Sequence, residues 1–284
     1  MQLPKHRDSR SPARLPFDAP VVERGVGLFE TVLLIGQRAV LWDGHVDRLL
    51  TSLNQLGLPA PERTQLTTAA RRAISRLPAS SHDNSVADFQ KESGLRLSWI
   101  AVAADLDNPS AWRLDVSVRP IPKLTTERRS GGHGISLPLE LCRDTPMVKS
   151  TSYFSAVLGL QKAHKLGGNE GLFRAPDGSY TEGTATALVA WDDGRLLQSQ
   201  HPILPSVTAA AWLGPSARHG LLSRELLTGG AILLGSLTKA TPLLQLDGVA
   251  CRVPPLMLEK IALFNRQLTE GAVLLPAPQH WRRR

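Results

Sequence analysis

Two cysteines among 284 residues cannot build a disulfide framework, and Cys142 and Cys251 lack zinc-ligand spacing. Both are therefore expected as reduced, structural thiols, and no metal site is expected. No apolar run approaches the ~20 residues needed to cross a bilayer. The N-terminal stretch MQLPKHRDSRSPARLPFDAP has no apolar core of the kind a signal peptide carries, which points to a cytoplasmic protein without a membrane partner. Acidic residues are the scarcer sign of charge, 25 against 33 Lys and Arg, for a formal net charge of +8. Clustered cations would release counterions from nucleic-acid phosphates. Much of the excess, however, lies in Lys5 to Arg14 and Arg282 to Arg284, with smaller groups at Arg71-Arg72 and Arg128-Arg129, and no recognition motif accompanies it. These read as solvated segments and argue against a nucleic-acid partner. A residual basic field still favours anionic small molecules.

What is present is an ordinary globular composition, 42% hydrophobic and 20% charged, which excludes disorder throughout. The length suits one large domain or two moderate ones. Residues 1–20 are polar and proline-punctuated and read as a poorly structured arm. From Gly27, GLFETVLLIGQRAVL gives two β-rich runs joined at Gly36-Gln37, a hairpin pattern. Asp43 is placed to cap a helix whose Val46, Leu49, Leu50, Leu53 and Leu56 recur at helical spacing, stopped by Gly57. A second helix after Pro61 uses Leu66, Ala70, Ala73, Ile74 and Leu77. Residues 78–94 are polar and turn-rich, as in a surface insertion, and LRLSWIAVAA and WRLDVSVRPI follow as paired strands.

Between residues 120 and 134 the composition turns to Pro, Gly and charge, and a linker is placed there. The expected organisation is a smaller N-terminal α+β domain over 21–119 and a larger C-terminal domain over 135–284, two lobes with a cleft between them. In the second lobe Thr151 to Lys165 reads as a helix. A meander follows, with turns at Pro176-Asp177-Gly178 and Asp192-Asp193-Gly194. A short helix begins near Ser206, and residues 230–237 read as a buried strand. The last helix opens at Pro254-Pro255, with Leu256, Ile261, Leu263, Phe264 and Leu268 inward.

Two residues stand out for chemistry. Lys149, in PMVKSTSYFSAVLG, sits between a proline turn and an amphipathic run with little other charge nearby. A lysine held in a partly apolar cleft loses hydration, so its free amine becomes available to attack a carbonyl. Glu182, in YTEGTATAL, lies just past a hairpin turn, where a carboxylate at a strand end points into a cleft; opposite a pyridine nitrogen it keeps such a ring protonated.

The order of six segments, GLFETVL, GHVDRL, VKSTSYFSAVL, GSYTEGTATAL, ILPSVT and LLGSLTKATPL, resembles the class IV aminotransferases from about Gly25 to Leu268. These are the pyridoxal-phosphate enzymes of fold type IV, which include branched-chain and D-amino-acid aminotransferases and aminodeoxychorismate lyases. The resemblance implies a D-amino-acid aminotransferase-like fold with pyridoxal 5'-phosphate in the cleft between the lobes, a small amino substrate and a homodimer. It makes Lys149 the lysine that condenses with the cofactor, Glu182 the partner of the pyridine nitrogen and Tyr153 a neighbour of the phenolic oxygen. Arg48 becomes a phosphate ligand, joined by Ser236 and by the first-turn amides of Val207 and Thr208, where free N–H groups and the helix dipole favour an anion. Thr31 and Lys239 are the substrate-contacting candidates.

Several positions depart from the family pattern. Ser206 stands where a glycine is usual, Ala209 where an arginine is common, Ala187 where an asparagine often follows the glutamate, and Val26 where an acidic residue is usual. Within the family the segments RGVGLFET and GSL resemble lyase members, implying that 4-amino-4-deoxychorismate is converted to 4-aminobenzoate and pyruvate, a step of folate precursor synthesis. A transaminase acting on D-amino or branched-chain amino acids is the alternative, and a degenerate, cofactor-binding member a third.

Overall fold

The structure, a computed structural model, describes residues 15–77, 92–192, 194–214 and 217–276. Lys5 to Arg14, Arg282 to Arg284 and most of the expected 78–94 insertion lie outside these residues. A one-turn helix α1 (Pro20–Arg24) ends on Gly25 at φ 66°, and β1 (Gly27–Ile35) follows. Gly36 takes φ 57° and returns the chain as β2 (Arg38–Ala39), the expected hairpin. The helices α2 (Trp42–Gln55) and α3 (Arg63–Ile74) then precede β3 (Glu92–Ala101) and β4 (Trp112–Pro120). These strands form an antiparallel sheet in the order β2-β1-β3-β4. One face of it packs on α2 and α3 through Leu28, Val32, Leu34, Leu95, Leu97, Val46, Leu49, Leu53, Leu66 and Ala70.

The second lobe begins with α4 (Lys123–Arg129) and β5 (Gly132–Ser136), then α5 (Phe154–Lys165), β6 (Glu170–Arg174) and β7 (Tyr180–Gly183). It continues through β8 (Ala187–Asp192), β9 (Arg195–Ser199), α6 (Val207–Leu213), β10 (Arg218–Gly220) and α7 (Arg224–Gly229). It ends with β11 (Ala231–Gly235), β12 (Lys239–Leu246), β13 (Val249–Ala250) and α8 (Pro255–Glu270). The strands form one sheet in the order β10-β9-β8-β11-β12-β5-β6-β7, with β13 on β12. Apolar side chains cover both faces. Ile232 and Leu234 of β11 pack under α6 and α8 with Val189, Met257 and Phe264, whereas Leu233 packs with Leu172, Leu188 and Leu243. Burial on both sides is why AILLG reads as an unbroken apolar run rather than an alternating one. Leu33 and Val40 of the first lobe enter the α8 cluster and join the lobes.

Several local expectations change. Asp43 is not the cap of α2: Leu41 holds that position at φ 51°, and the Asp43 carboxylate pairs with Arg63 at 3.2 Å. Leu56 is 44% exposed, and on α8 Leu256 and Leu263 face outward while Met257, Ile261, Phe264 and Leu268 form the buried stripe. The leucines extend past the stripe that touches the core, so spacing alone misassigns the edge of each face. Helix α5 starts at Phe154, three residues after the expected Thr151, because Thr151 is bound into β1. Residues 92–94 belong to β3, and the stretch 120–134 holds α4. There Arg128 is fully buried and pairs with Glu170 at 3.0 Å, and Arg129 pairs with Glu92, so neither is a solvated cation. Both cysteines are free; burial pushes the Cys251 thiol up to about 11, while Cys142 is exposed rather than packed.

Candidate active site

The loop before α5 is fastened to β1. Phe29 N donates to Lys149 O at 2.9 Å, Thr151 N donates to Gly27 O at 2.7 Å, and Thr151 Oγ1 donates to Gly25 O. Glycine at 27 permits this approach, since a Cβ there would lie 3.0 Å from Thr151 Oγ1 and 2.9 Å from Trp99 O. Val148 is buried in the first lobe's core, which turns the next side chain, Lys149, the other way. The Lys149 Nζ lies 3.5 Å from Tyr153 Oη, 4.5 Å from the centre of the Phe29 ring and 5.1 Å from that of Tyr153. These two rings meet edge to face at 5.2 Å, giving the amine an aromatic wall. Among the described residues no carboxylate forms an ion pair with it.

Glu182 is buried in β7 and lies 3.1 Å from Arg143 Nε. Burial pushes its carboxyl above the usual range, and the opposing pull of Arg143, the Leu204 N–H and Lys149 does not fully offset it. Burial also raises the Tyr153 phenol, but the cations Lys149 and Arg143 outweigh it and leave the hydroxyl more acidic than usual.

A second cluster lies at the start of α2. Arg48 forks onto Glu30, Nε to Oε1 at 2.7 Å and Nη2 to Oε2 at 2.6 Å, and its Nη1 donates to Pro205 O at 2.7 Å. Buried His45 meets Glu30 Oε2 through Nδ1 at 2.8 Å and Ser236 Oγ through Nε2 at 3.3 Å. Burial lowers the His45 pKa despite Glu30, so the ring is neutral. An ionised Glu30 can only accept, hence Nδ1 carries the proton and Nε2 accepts from Ser236. For Glu30 burial opposes ionisation, but Arg48 and His45 overcome it and hold the carboxyl at about 2. The start of α6 closes this end: Ser206 caps it by accepting from Ala209 N at 3.2 Å, and a Cβ at Gly44 would lie 2.8 Å from Val207 Cγ1. Ser206 in place of glycine therefore has a structural use, and Ala209 is buried beneath α6.

The fold thus brings Lys149, Tyr153 and Glu182 into one group, and Arg48, Ser236, Val207 and Thr208 into another at the base of α2 and α6. Thr31 pairs in register with Arg96 on the sheet face that carries Phe29. Lys239 does not join them: at φ 64° its ammonium donates to Glu92 Oε1 at 2.6 Å, beside Arg129. Sequence reasoning missed Phe29, Glu30, His45, Arg96 and Arg143. Arg96 sits 3.8 Å over the Phe29 ring that Lys149 also faces, and its Nε donates to Ser98 Oγ at 3.2 Å. Burial and the nearby charge of Arg119 hold its guanidinium below the usual range. The alternation of LRLSWI, which puts Arg96 on the face opposite Leu95 and Leu97, was the available signal.

Over 180 residues, 60% of this chain, the sequence is 30% identical to a bifunctional aminodeoxychorismate lyase and D-amino acid transaminase of Mycobacterium tuberculosis; the match spans 58% of that relative's length. A hypothetical aminotransferase from Mycobacterium tuberculosis, solved in a PLP-bound form, superposes with a TM-score of 0.77 at 26% identity, covering 93% of this chain and 96% of that one. A branched-chain aminotransferase from Thermoproteus uzoniensis, solved with norvaline, shares the fold with a TM-score of 0.75 at 18% identity, over 91% of each chain. The expectations of a two-lobed α+β fold and of a pyridoxal-phosphate enzyme family hold. A model of amino-transferase class IV matches residues 27–242, and the chain belongs to that family.

Proposed function

We propose that the protein is a pyridoxal 5'-phosphate-dependent 4-amino-4-deoxychorismate lyase. The residues present suit the cofactor. A phosphate would be held by Arg48, Ser236 and the Val207 and Thr208 amides, a ring nitrogen by Glu182, a phenolic oxygen by Tyr153 and an aldehyde carbon by Lys149. The convergence of α2 and α6 at Gly44 and Val207 supports the phosphate end. When bound, the cofactor supplies an electron sink.

Lys149 then acts as the base that takes the ring proton beside the substrate amine. Loss of that proton aromatises the ring as the ether C–O bond breaks and pyruvate leaves as its enolate; the lysine ammonium returns the proton to the enolate's methylene carbon, which gives pyruvate and restores the free amine. Phe29 and Tyr153 exclude water from one side of the amine, which keeps its proton for the substrate.

The observation that carries the lyase reading is Arg96, a half-buried guanidinium that forms no ion pair among the described residues, over the same ring as Lys149 and within the fields of Arg119 and Asp115 on β4. Two adjacent cations on the cleft face suit a substrate with two carboxylates. Transamination of D-amino acids is the second reading, supported by the bifunctional relative. The same reading takes the chain as a homodimer, supported by the exposure of Phe154 and Val157 on α5, 73% and 61%.

A side-by-side assay with added cofactor tests this. Release of 4-aminobenzoate from 4-amino-4-deoxychorismate, with KM raised at least about tenfold in Arg96→Ala by loss of a charged hydrogen bond, is the expected result. Keto-acid formation from D-amino acids without 4-aminobenzoate would replace the lyase with the transaminase, and neither product would refute both.

A further inference from the structure

Ser236 has one hydroxyl hydrogen and two claims on it. In the turn between β11 and β12 its Oγ lies 3.3 Å from His45 Nε2, the one hydrogen-bond partner it has among the described residues. The imidazole is 1% exposed, and its Nδ1 donates to the equally buried Glu30 at 2.8 Å. Nε2 therefore needs a donor, and the Ser236 hydroxyl supplies it. The same hydroxyl is the one read above as a ligand of the cofactor's phosphate. A single hydrogen that points at a phosphate oxygen no longer points at His45.

The surroundings of the ring leave it one way to stay satisfied. Glu30 is ionised and accepts from Nδ1, so Nδ1 keeps its hydrogen and the tautomer cannot switch. A bare nitrogen buried without a donor is costly. A proton on Nε2 turns it into a donor instead, and Ser236 Oγ, which accepts as well as donates, receives that hydrogen bond. Charge favours the same outcome. The charged groups that face the ring are Glu30 on β1, Arg48 on α2 and, in the loop before α5, Lys149. With a neutral ring the Glu30 and Arg48 charges cancel, and a second cation beside Glu30 offsets part of the charge that a phosphate dianion brings.

We infer that phosphate binding loads one proton onto His45: the Ser236 hydroxyl turns from the imidazole to the phosphate, and Nε2 takes a proton from solvent and donates it to Ser236 Oγ. The ring then passes from neutral to imidazolium, and no bond between heavy atoms changes. This rests on the reading of Ser236 as a phosphate ligand. It makes His45, which does not touch the phosphate, a positioning residue for Ser236. It also makes affinity for the phosphate group fall as pH rises above neutrality, because the complex carries one more proton than the free protein and free ligand together.

The test adds ethyl phosphate, which has the phosphate ester and none of the pyridine ring, to cofactor-free protein carrying nitrogen-15 histidine. A phosphate monoester loses its second proton near pH ~6, so above pH ~7 the ligand brings no titration of its own. On binding, the Nε2 resonance of His45, assigned by its loss in His45→Gln, should move from that of a bare ring nitrogen to that of an N–H. The dissociation constant should rise up to about tenfold between pH ~7 and ~8 in wild type and stay level in His45→Gln. An Nε2 already protonated before ligand is added, or still bare once phosphate is bound, overturns the inference. Should His45→Gln fail to fold, calorimetry of wild type in buffers of different ionisation enthalpy decides: uptake of about one proton per phosphate supports the inference, and none refutes it. Ser236→Ala separates the two readings. If it binds ethyl phosphate as wild type does, or if wild type binds none, the phosphate reading falls and the inference with it; if Ser236→Ala binds more weakly while wild type takes up no proton, only the inference falls.

Discussion

Replacing Glu30 with glutamine removes one negative charge from the buried polar cluster it forms with His45 and Arg48. The carboxylate is 1% exposed and accepts from Arg48 at 2.7 and 2.6 Å and from His45 at 2.8 Å. An amide accepts on one side only and turns N–H groups toward Arg48 on the other, leaving the guanidinium without its anion. The carboxyl is held at about 2 against an ordinary 4.5, and a difference of that size is worth about 3 kcal/mol of stability. Removing one member of a buried ion pair costs a similar ~3–5 kcal/mol. The sign follows from the direction: because the folded group binds its proton less readily than the unfolded one, its contribution is complete above 4.5 and is lost as pH falls toward about 2. Urea unfolding of wild type and Glu30→Gln should therefore differ by about 3 kcal/mol at neutral pH. The gap should narrow steadily below pH ~4.5. A gap that stays constant down to pH ~3 would refute the reasoning, since the stabilisation would then not come from the ionised carboxylate.

Two further substitutions probe what positions the site. Arg128→Met strips the fully buried Glu170 of its cation, and thermal or urea unfolding should show a loss of about 3–5 kcal/mol, with aggregation-free refolding of the wild type as reference. Gly44→Ala sets a methyl 2.8 Å from Val207 Cγ1, so the Val207 side chain, or the start of α6 that carries it, must shift. A stability loss of ~1–3 kcal/mol and a dissociation constant for pyridoxal 5'-phosphate raised several-fold should appear together, by calorimetry and fluorescence titration.

Much of the fold could be read from local pattern. The Gly36 hairpin, the stripe on α3 and the doubly buried AILLG strand follow from backbone freedom and periodicity. Where local reading failed, a distant partner decided. Asp43 had the chemistry of a cap, but Arg63 claims its carboxylate and Leu41 takes the cap position in the left-handed region. Residues 120–134 looked like a linker because Arg128 and Arg129 resemble surface charge until Glu170 and Glu92 are folded against them. The site divides in the same way. Lys149, Glu182 and Arg48 were legible because short motifs in a fixed order carry them. Arg96 and Arg143 were not, since neither has a local signature: Arg143 acquires meaning from Glu182, and Arg96 from Phe29, each across the fold. Lys239 had a suggestive position, but Glu92 already holds its ammonium.

The most direct measurement is reduction of the cofactor-loaded protein with borohydride followed by peptide mass spectrometry, which converts any carbon–nitrogen double bond to the cofactor into a stable adduct. The account predicts a single modified lysine, Lys149, and loss of both the visible absorbance band and the adduct in Lys149→Ala. An adduct on another lysine, or a band that survives Lys149→Ala, would contradict it.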